Sequence, residues 1–337
     1  MLNKKIEFVR PRKMLCVDFS KPFMLGNYKF YVHKLKDYCA RDVDFCGSAE
    51  KEIMGRLDDF KSSSPCIIPY AEGYLLNVRY VNYTIRHDGS YAFKHSDGKI
   101  TTLNLVHWLN RDFAIKKSHW LDKVTNEHLR YQGVEDVKIF PHCGDVLFLG
   151  TVENPDNGRV AVGHGVYDWK LDRLHPTAFA SPHDRGCEKN WCYFHNADGD
   201  LRLVYEWSPL TICSVGADTI STVASSTDVP AFFRDIRGST NGMLVGDEVW
   251  FVCHLVEYTT PRHYYHIIVV LDSATMTYKK HSILFKFHGD CIEYCLGFVV
   301  ETDRFVFSYS RMDRTSAVMT LEREVAMKLL FPTSNNA

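Results

Sequence analysis

The sequence predicts an all-β fold: a five-bladed β-propeller with a short N-terminal extension containing a helix. Three observations point there. Aromatic residues make up 13% of the chain, and aromatic and β-branched side chains favour strands. Helix signal is sparse. Above all, one hairpin signature recurs: an apolar run, a short polar turn, then a second run rich in aromatic or branched residues. Its turns fall at Glu72-Gly73, Gly144-Asp145, Gly199-Asp200, Gly246-Asp247 and Thr302-Asp303. Antiparallel strands repeating at about 40–50 residues are the pattern of propeller blades, which stack around an axis because none can bury both faces alone.

Taken in order, residues 1–63 form the extension, packing on or closing the propeller. Its helix is expected over Ser48–Phe60, where a capping Ser precedes charged and apolar residues at helical spacing. The propeller spans 64–331. Lys116–Tyr131 reads as a polar, partly helical connector between the first two blades, and Arg159–Val166 and His266–Leu271 as further strands. Residues 332–337 form a frayed tail.

Composition excludes several classes. With 40 Lys+Arg against 41 Asp+Glu, the chain offers no general attraction for nucleic acid or an anionic membrane surface. Its strongest apolar run, Ile267–Leu271, is far shorter than the ~20 residues of a membrane span. The N-terminus lacks the apolar stretch of a signal peptide, and 11 scattered cysteines read as reduced thiols, so the expected location is cytoplasmic. Cys187, Cys192 and His195 do not have standard zinc spacing; no metal is expected. An oligomer is possible, with no motif behind it.

In a propeller the innermost strands line the central channel and ligand pockets open at one end of it. Here those strands begin with polar groups: Glu135-Asp136, Glu188-Lys189-Asn190, Arg237 to Asn241, and Glu293-Tyr294. The first blade contributes Asn77, Arg79 and Asn82. Buried charges of this kind must pair with one another or face a solvated pocket. Ion pairs at blade edges explain any one of them; their recurrence at equivalent points favours a pocket. Carboxylates and amides hydrogen-bond sugar hydroxyls, and aromatic faces cover C–H surfaces. Tyr80, Tyr83, Trp191, Tyr205, Trp207, Tyr264, Tyr265 and Tyr309 stand nearby in sequence. Strand alternation puts Arg262, Tyr264 and His266 on one face and His263 and Tyr265 on the other.

Gly133 to Val152, GVEDVKIF followed by GDVLFLGTV, resembles the strand and hairpin of glycoside hydrolase family 130, chiefly β-mannoside phosphorylases. The resemblance extends to the related β-1,2-mannosyltransferases. Asn77-Val78-Arg79, CEKNWCYF (Cys187–Phe194) and SYSRMD (Ser308–Asp313) resemble further blade strands of the family, over about residues 64–320. The resemblance implies a carbohydrate-active enzyme that makes or breaks a β-mannoside-type bond, with Asp136 as the catalytic acid. A phosphorylase can work with one acid because phosphate is itself the nucleophile. Asn77, Arg79, Glu135, Glu188, Asn190, Tyr265 and Asp313 are then candidates for binding substrate, and Arg79, Lys189, Arg262 and His263 for binding phosphate or another anion. No cofactor is implied; inorganic phosphate or a nucleotide sugar would be co-substrate, and a small sugar or oligosaccharide the partner. Glycosyl transfer and a non-catalytic glycan- or protein-binding propeller are the alternatives, with hydrolysis behind them. One departure stands out: the family's Pro-Arg after the acid is Val137-Lys138 here.

Overall fold

The computed structural model describes residues 18–45, 60–86, 90–93, 98–121, 123–124, 128–183 and 185–332. They form an all-β propeller arrangement. All five hairpins read from the sequence are present: Lys61–Tyr70 with Gly73–Val81, Glu135–His142 with Asp145–Glu153, Cys192–His195 with Leu201–Trp207, Met243–Val245 with Glu248–Glu257, and Glu293–Val300 with Arg304–Arg311.

Four sheets follow the four-strand path of a blade. Sheet I runs from Lys61–Tyr70 through Gly73–Val81 and Ile100–Leu109 to Ile115–Leu121, with Tyr131–Gln132 added in parallel. Sheet II runs from Glu135–His142 to Thr177–Ala178, and sheet III from Cys192–His195 to Ile220–Ser226. Sheet V comprises Glu293–Val300, Arg304–Arg311 and Thr315–Glu322, completed by Arg41–Asp44 from the N-terminal region. Sheet IV departs from the expected set of like blades. It has seven strands built on the long pair Glu248–Glu257 and His263–Asp272, and Val32–Lys34 joins its far side in parallel to Leu284–Lys286. Its first edge is split into Arg237–Gly238 and Met243–Val245. The ladder breaks between them because the N–H groups of Ser239 and Thr240 both donate to the Val252 carbonyl.

Apolar layers separate consecutive sheets. Phe148, Val137 and Ile139 meet Leu75 and Ile68 between I and II; Phe140 and Phe179 meet Trp191 and Tyr193 between II and III. Phe194 and Trp207 meet Phe251 and Cys253 between III and IV, and Trp250 and Phe285 meet Phe305 and Phe307 between IV and V. Val299 and Val306 meet Leu76 and Tyr74 between V and I, which closes the circuit. Burying one such side chain is worth about 1.5–3 kcal/mol, so the ring rests on these layers.

The N-terminal region is thus stitched into sheets IV and V. Asp42 anchors it, accepting hydrogen bonds from Lys36 Nζ at 2.6 Å and the Tyr309 hydroxyl at 3.0 Å, with His288 Nε2 at 3.0 Å. The helix expected over Ser48–Phe60 lies outside the described residues apart from Phe60. Among the described residues the α-helix is at the other end of the chain, Arg323–Leu330, burying Ala326 and Leu330. The polar stretch expected to connect the first two blades is instead largely strand: Ile115–Leu121 is the outer edge of sheet I, where exposed Lys116 and Lys117 lower its apolar content. No helix among the described residues is long and apolar enough to cross a membrane.

Candidate active site

The innermost strands all begin at one end of the ring, and that end collects the charge. Three of them distort at equivalent points. Register shifts occur between Ser63 and Cys66 and between Glu135 and Lys138. Ser64, Asp136 and Asn190, where sheets I, II and III begin, have φ of 38°, 52° and 67°. Asp313 joins them at 47°. Non-glycine residues adopt this region at a cost, Asp and Asn most readily, and such positions cluster at functional sites. The two bulges interrupt the ladders of sheets I and II at Ser64 and Asp136.

Arg79 is the centre of the cluster. Its side chain is 3% exposed, and it donates to Asp136 Oδ1 at 2.8 Å and to the Tyr83 hydroxyl at 3.2 Å, with Glu135 Oε2 at 3.6 Å. Tyr83 in turn donates to Asp313 Oδ2 at 3.1 Å, whose other oxygen accepts from Ser63 at 2.7 Å. Six side chains, Ser63 and Arg79 from sheet I, Tyr83 just beyond it, Glu135 and Asp136 from sheet II and Asp313 from a turn of sheet V, therefore share one polar network. Glu135 and Asp136 remain open to solvent, 27% and 21% exposed. Burial raises the Glu135 pKa; Arg79 opposes this, and the adjacent Asp136 charge adds to it. Arg79 stays cationic: its burial is outweighed by Glu135, Tyr83, Asp136 and Asp313 around it.

A cleft of about 10 Å³ beside Asp136 is walled by Asn190, Trp191, Tyr294 and Lys138. Lys138, standing where the family resemblance has an Arg, is 4% exposed and donates to the Trp191 carbonyl. It ties sheet II to sheet III and does not face the open end. The larger hollow lies next door. Asn190 also borders a cavity of about 400 Å³ between sheets III and IV, lined by Arg185, Lys189, Arg234 and Arg237 against two carboxylates, Glu188 and Glu206. Glu206 pairs with Arg185, and Glu188 accepts from the Ser181 and Tyr205 hydroxyls at 2.8 and 2.9 Å. Among the described residues, Lys189 and Arg237 have no carboxylate within 4 Å, although Arg237 donates to the Tyr258 hydroxyl at 2.7 Å.

Of the residues picked from sequence, the structure brings together Arg79, Glu135, Asp136 and Asp313, with Asn190 and Lys189 alongside. Glu188 lines the cavity but is buried. Asn77 is fully buried, its amide spent on Asn104 at 3.0 Å and Tyr167 at 2.7 Å. Arg262 sits at the rim over the Tyr264 ring, hydrogen-bonded to Tyr91. His263 and Tyr265 point to the opposite face: Tyr265 stacks on Phe23 at 4.3 Å and donates to Glu257, and the nearest charges to His263 are Lys286 and Glu257. Glu293 accepts four backbone N–H groups from Phe287 to Asp290 at 2.7–2.9 Å and so holds a loop. Sequence reasoning missed Ser63, Arg185 and Arg234. Nothing in their local sequence marks them; only the closure of the ring brings them in.

No protein-family model matches the chain, and no curated protein sequence does. Solved structures do. β-1,2-Mannobiose phosphorylase from Listeria innocua aligns at 12% identity over 82% of this chain and 94% of its own, with a TM-score of 0.54. A glycosyl hydrolase from Bacteroides ovatus aligns at 12% identity, 79% and 85% coverage and a TM-score of 0.53. A structure described with the GH130 family of mannoside phosphorylases, which contains hydrolases targeting β-1,2-mannosidic linkages in Candida mannan, aligns at 11% identity, 79% and 85% coverage and a TM-score of 0.54. At such identities the likeness establishes a shared fold.

Proposed function

We propose that this chain is a carbohydrate-active enzyme that makes or breaks a β-mannosidic bond, in a five-bladed ring whose fourth blade is the enlarged sheet IV. The observation that carries this reading is the solvent-open Glu135–Asp136 pair on a buried Arg79, set beside a cation-lined cavity. The fold shared with mannoside phosphorylases and hydrolases supports the choice of sugar. In the direction of cleavage, the carboxyl pair gives its proton to the leaving oxygen as the bond from C1 to that oxygen breaks. A phosphate oxygen held by Lys189 and Arg237 forms the new bond to C1 from the other face. In the reverse direction the pair takes the acceptor hydroxyl's proton. Asp136 is assigned as the acid–base group facing substrate, with Glu135 sharing its proton; Arg79 positions both. Because Lys138 is committed to the Trp191 carbonyl, the anion is assigned to Lys189, Arg237 and Arg234.

A second reading, transfer from a nucleotide sugar, is favoured by the size of the cavity, which falls within the ~300–1,000 Å³ of small-molecule sites and exceeds the needs of one phosphate ion. All nine cysteines among the described residues are free thiols, in keeping with a cytoplasmic setting. The test is turnover of β-1,2-mannobiose with inorganic phosphate, and melting shifts with phosphate, mannose 1-phosphate and nucleoside diphosphates. A ligand at 100 times its Kd stabilises by about 2.7 kcal/mol. Asp136→Asn, which keeps an acceptor for Arg79, should abolish turnover while lowering the melting temperature by no more than about 4 °C. Equal turnover in that variant would sink the assignment.

A further inference from the structure

In the sequence His195 stands near Cys187 and Cys192 at a spacing unsuited to zinc. The ring gives it other partners. It is the last residue of the inner strand Cys192–His195 in sheet III, and His142 is the last of Glu135–His142 in sheet II. Both therefore lie at the far end of the ring, about 20 Å from Asp136 at strand rise. There His142 Nδ1 and His195 Nε2 are 2.9 Å apart, joined by an N–H···N hydrogen bond, and the Cys143 Sγ lies 3.8 Å from the same His142 nitrogen. Phe140 packs on the His195 ring at 4.8 Å, and a largely apolar cavity of about 220 Å³ between the inner strands borders it.

Two imidazoles and a thiol from two sheets thus converge. In a tetrahedral zinc site, bonds of about 2.0–2.1 Å to nitrogen and about 2.3 Å to sulfur put two imidazole nitrogens about 3.3 Å apart and a nitrogen and a sulfur about 3.6 Å apart. The separations here, 2.9 and 3.8 Å, lie close to both. As the side chains stand, no group of three or more His, Cys, Asp or Glu among the described residues encloses a metal position. The imidazole pair is already assembled, and the exposed Cys143 side chain has room to turn towards it. Two further features point to a ligand. Burial, with His142 alongside, lowers the His195 pKa, so its ring is neutral at neutral pH, as metal binding requires. Cys143 and Gly144 form a two-residue turn with φ of 50° and 88°. Such a turn favours Asn, Asp or Gly at its first position; a cysteine there bears a backbone cost and brings a thiol to the imidazoles.

We infer that His142, His195 and Cys143 form a site for a divalent transition metal ion, with zinc matching the two nitrogens and one sulfur and water completing the tetrahedron. On binding, the N–H proton shared by the pair moves to the other nitrogen of its ring and both facing lone pairs go to the metal. Cys143 binds as thiolate after releasing its proton to solvent. The ion clasps sheets II and III at the end of the ring remote from the carboxylates, and the site stands independently of the proposed function.

Calorimetry with Zn²⁺ on the full chain, first freed of metal with a chelator, tests this. Wild type is expected to bind one equivalent with a Kd at or below about 1 μM. At a hundred times its Kd, Zn²⁺ should raise the melting temperature by about 4 °C. His142→Gln and His195→Gln should each weaken binding at least about 100-fold, and Cys143→Ser at least about tenfold. Co²⁺ as a spectroscopic probe should show a thiolate-to-cobalt absorption band that Cys143→Ser removes. Because Cys143 lies on an exposed turn, that variant reads the site even where a histidine variant fails to fold. Binding weaker than about 100 μM, affinity that the substitutions leave unchanged, or a Co²⁺ complex without the thiolate band each overturns the site.

Discussion

Replacing Arg79 with Met is the most informative single change, since it removes the cation while roughly conserving apolar volume. The side chain is 3% exposed and faces Asp136 at 2.8 Å and Glu135 at 3.6 Å. Removing one member of a buried ion pair costs about 3–5 kcal/mol. Both carboxylates are about a quarter exposed, so hydration reduces the cost to about 3 kcal/mol at neutral pH. For 337 residues, an unfolding entropy near 2.1 cal/mol/K per residue converts this to a fall in Tm of about 4 °C. The pH dependence gives the sharper test. Arg79 opposes the upward shift of Glu135, so without it the Glu135 pKa rises further in the folded state. A carboxyl whose folded pKa exceeds its unfolded value, 4.5 for Glu135, loses stability as pH rises from the unfolded value through the folded one. The deficit of Arg79→Met should therefore be small near pH 4.5 and grow towards pH 7.5. Melting curves at the two pH values read it. A deficit that is constant with pH, or under about 1 kcal/mol throughout, would refute the electrostatic account of this cluster.

Three further outcomes follow from the same geometry. Asp42 is pushed up by burial, but hydrogen bonds from His288, Lys36 and Tyr309 outweigh this and hold its pKa at about 2, below the ordinary 3.8. Its contribution is present above pH 3.8 and is lost as pH falls towards 2, so Asp42→Asn should cost about 2 kcal/mol at pH 7 and almost nothing near pH 2, as acid titration of the melt would record. Lys138→Met should destabilise by about 1–3 kcal/mol, the cost of leaving the Trp191 carbonyl unpaired, with phosphate affinity unchanged in calorimetry. Gly238→Ala would place a Cβ 2.3 Å from Cys192 Sγ and 2.5 Å from the Asn190 carbonyl; it should weaken sugar and anion binding together by displacing Asn190, and measured affinities for both ligands check it.

What was legible in the sequence divides along physical lines. Hairpins were readable because turn residues and flanking strands lie within a few positions of one another. The acidic pair at 135–136 was readable because its bulge is local. The outer strand Ile115–Leu121 was not, since exposed Lys116 and Lys117 on this edge strand break up its apolar pattern. Alternation separated Tyr264 from Tyr265 correctly into two faces, yet which face meets the site depends on the ring, where Phe23 from the N-terminal region claims Tyr265. Asn77 and Lys138 carry the polarity expected of ligands but are spent inside the protein on Asn104, Tyr167 and the Trp191 carbonyl. Polarity alone does not distinguish a buried hydrogen-bond partner from a binding residue.

The burial of Lys138 bears on mechanism more than any other local departure. An Arg at that point, as in the family the sequence resembles, presents a planar fork suited to phosphate; a Lys is a point charge on a flexible stem. Here that stem runs back into the boundary between sheets II and III, and the two terminal nitrogens of Arg79 are engaged by Asp136, Tyr83 and Glu135, while its buried Nε has no hydrogen-bond partner among the described residues. Neither Lys138 nor the terminal nitrogens of Arg79 are left for an anion. The charges without carboxylate partners, Lys189 and Arg237, lie on the boundary of sheets III and IV, around a wider hollow. On the proposed function, the anion would then enter from the side and not from above the acid, which leaves space for an organic group attached to the phosphate. Competition settles the point. If inorganic phosphate and a nucleoside diphosphate both displace mannose 1-phosphate in wild type, and Arg234→Ala/Arg237→Ala weakens the larger anion more than the smaller, the side entrance stands. Equal weakening would put the shared phosphate at these arginines with no contact to the organic group, and favour phosphorolysis over transfer.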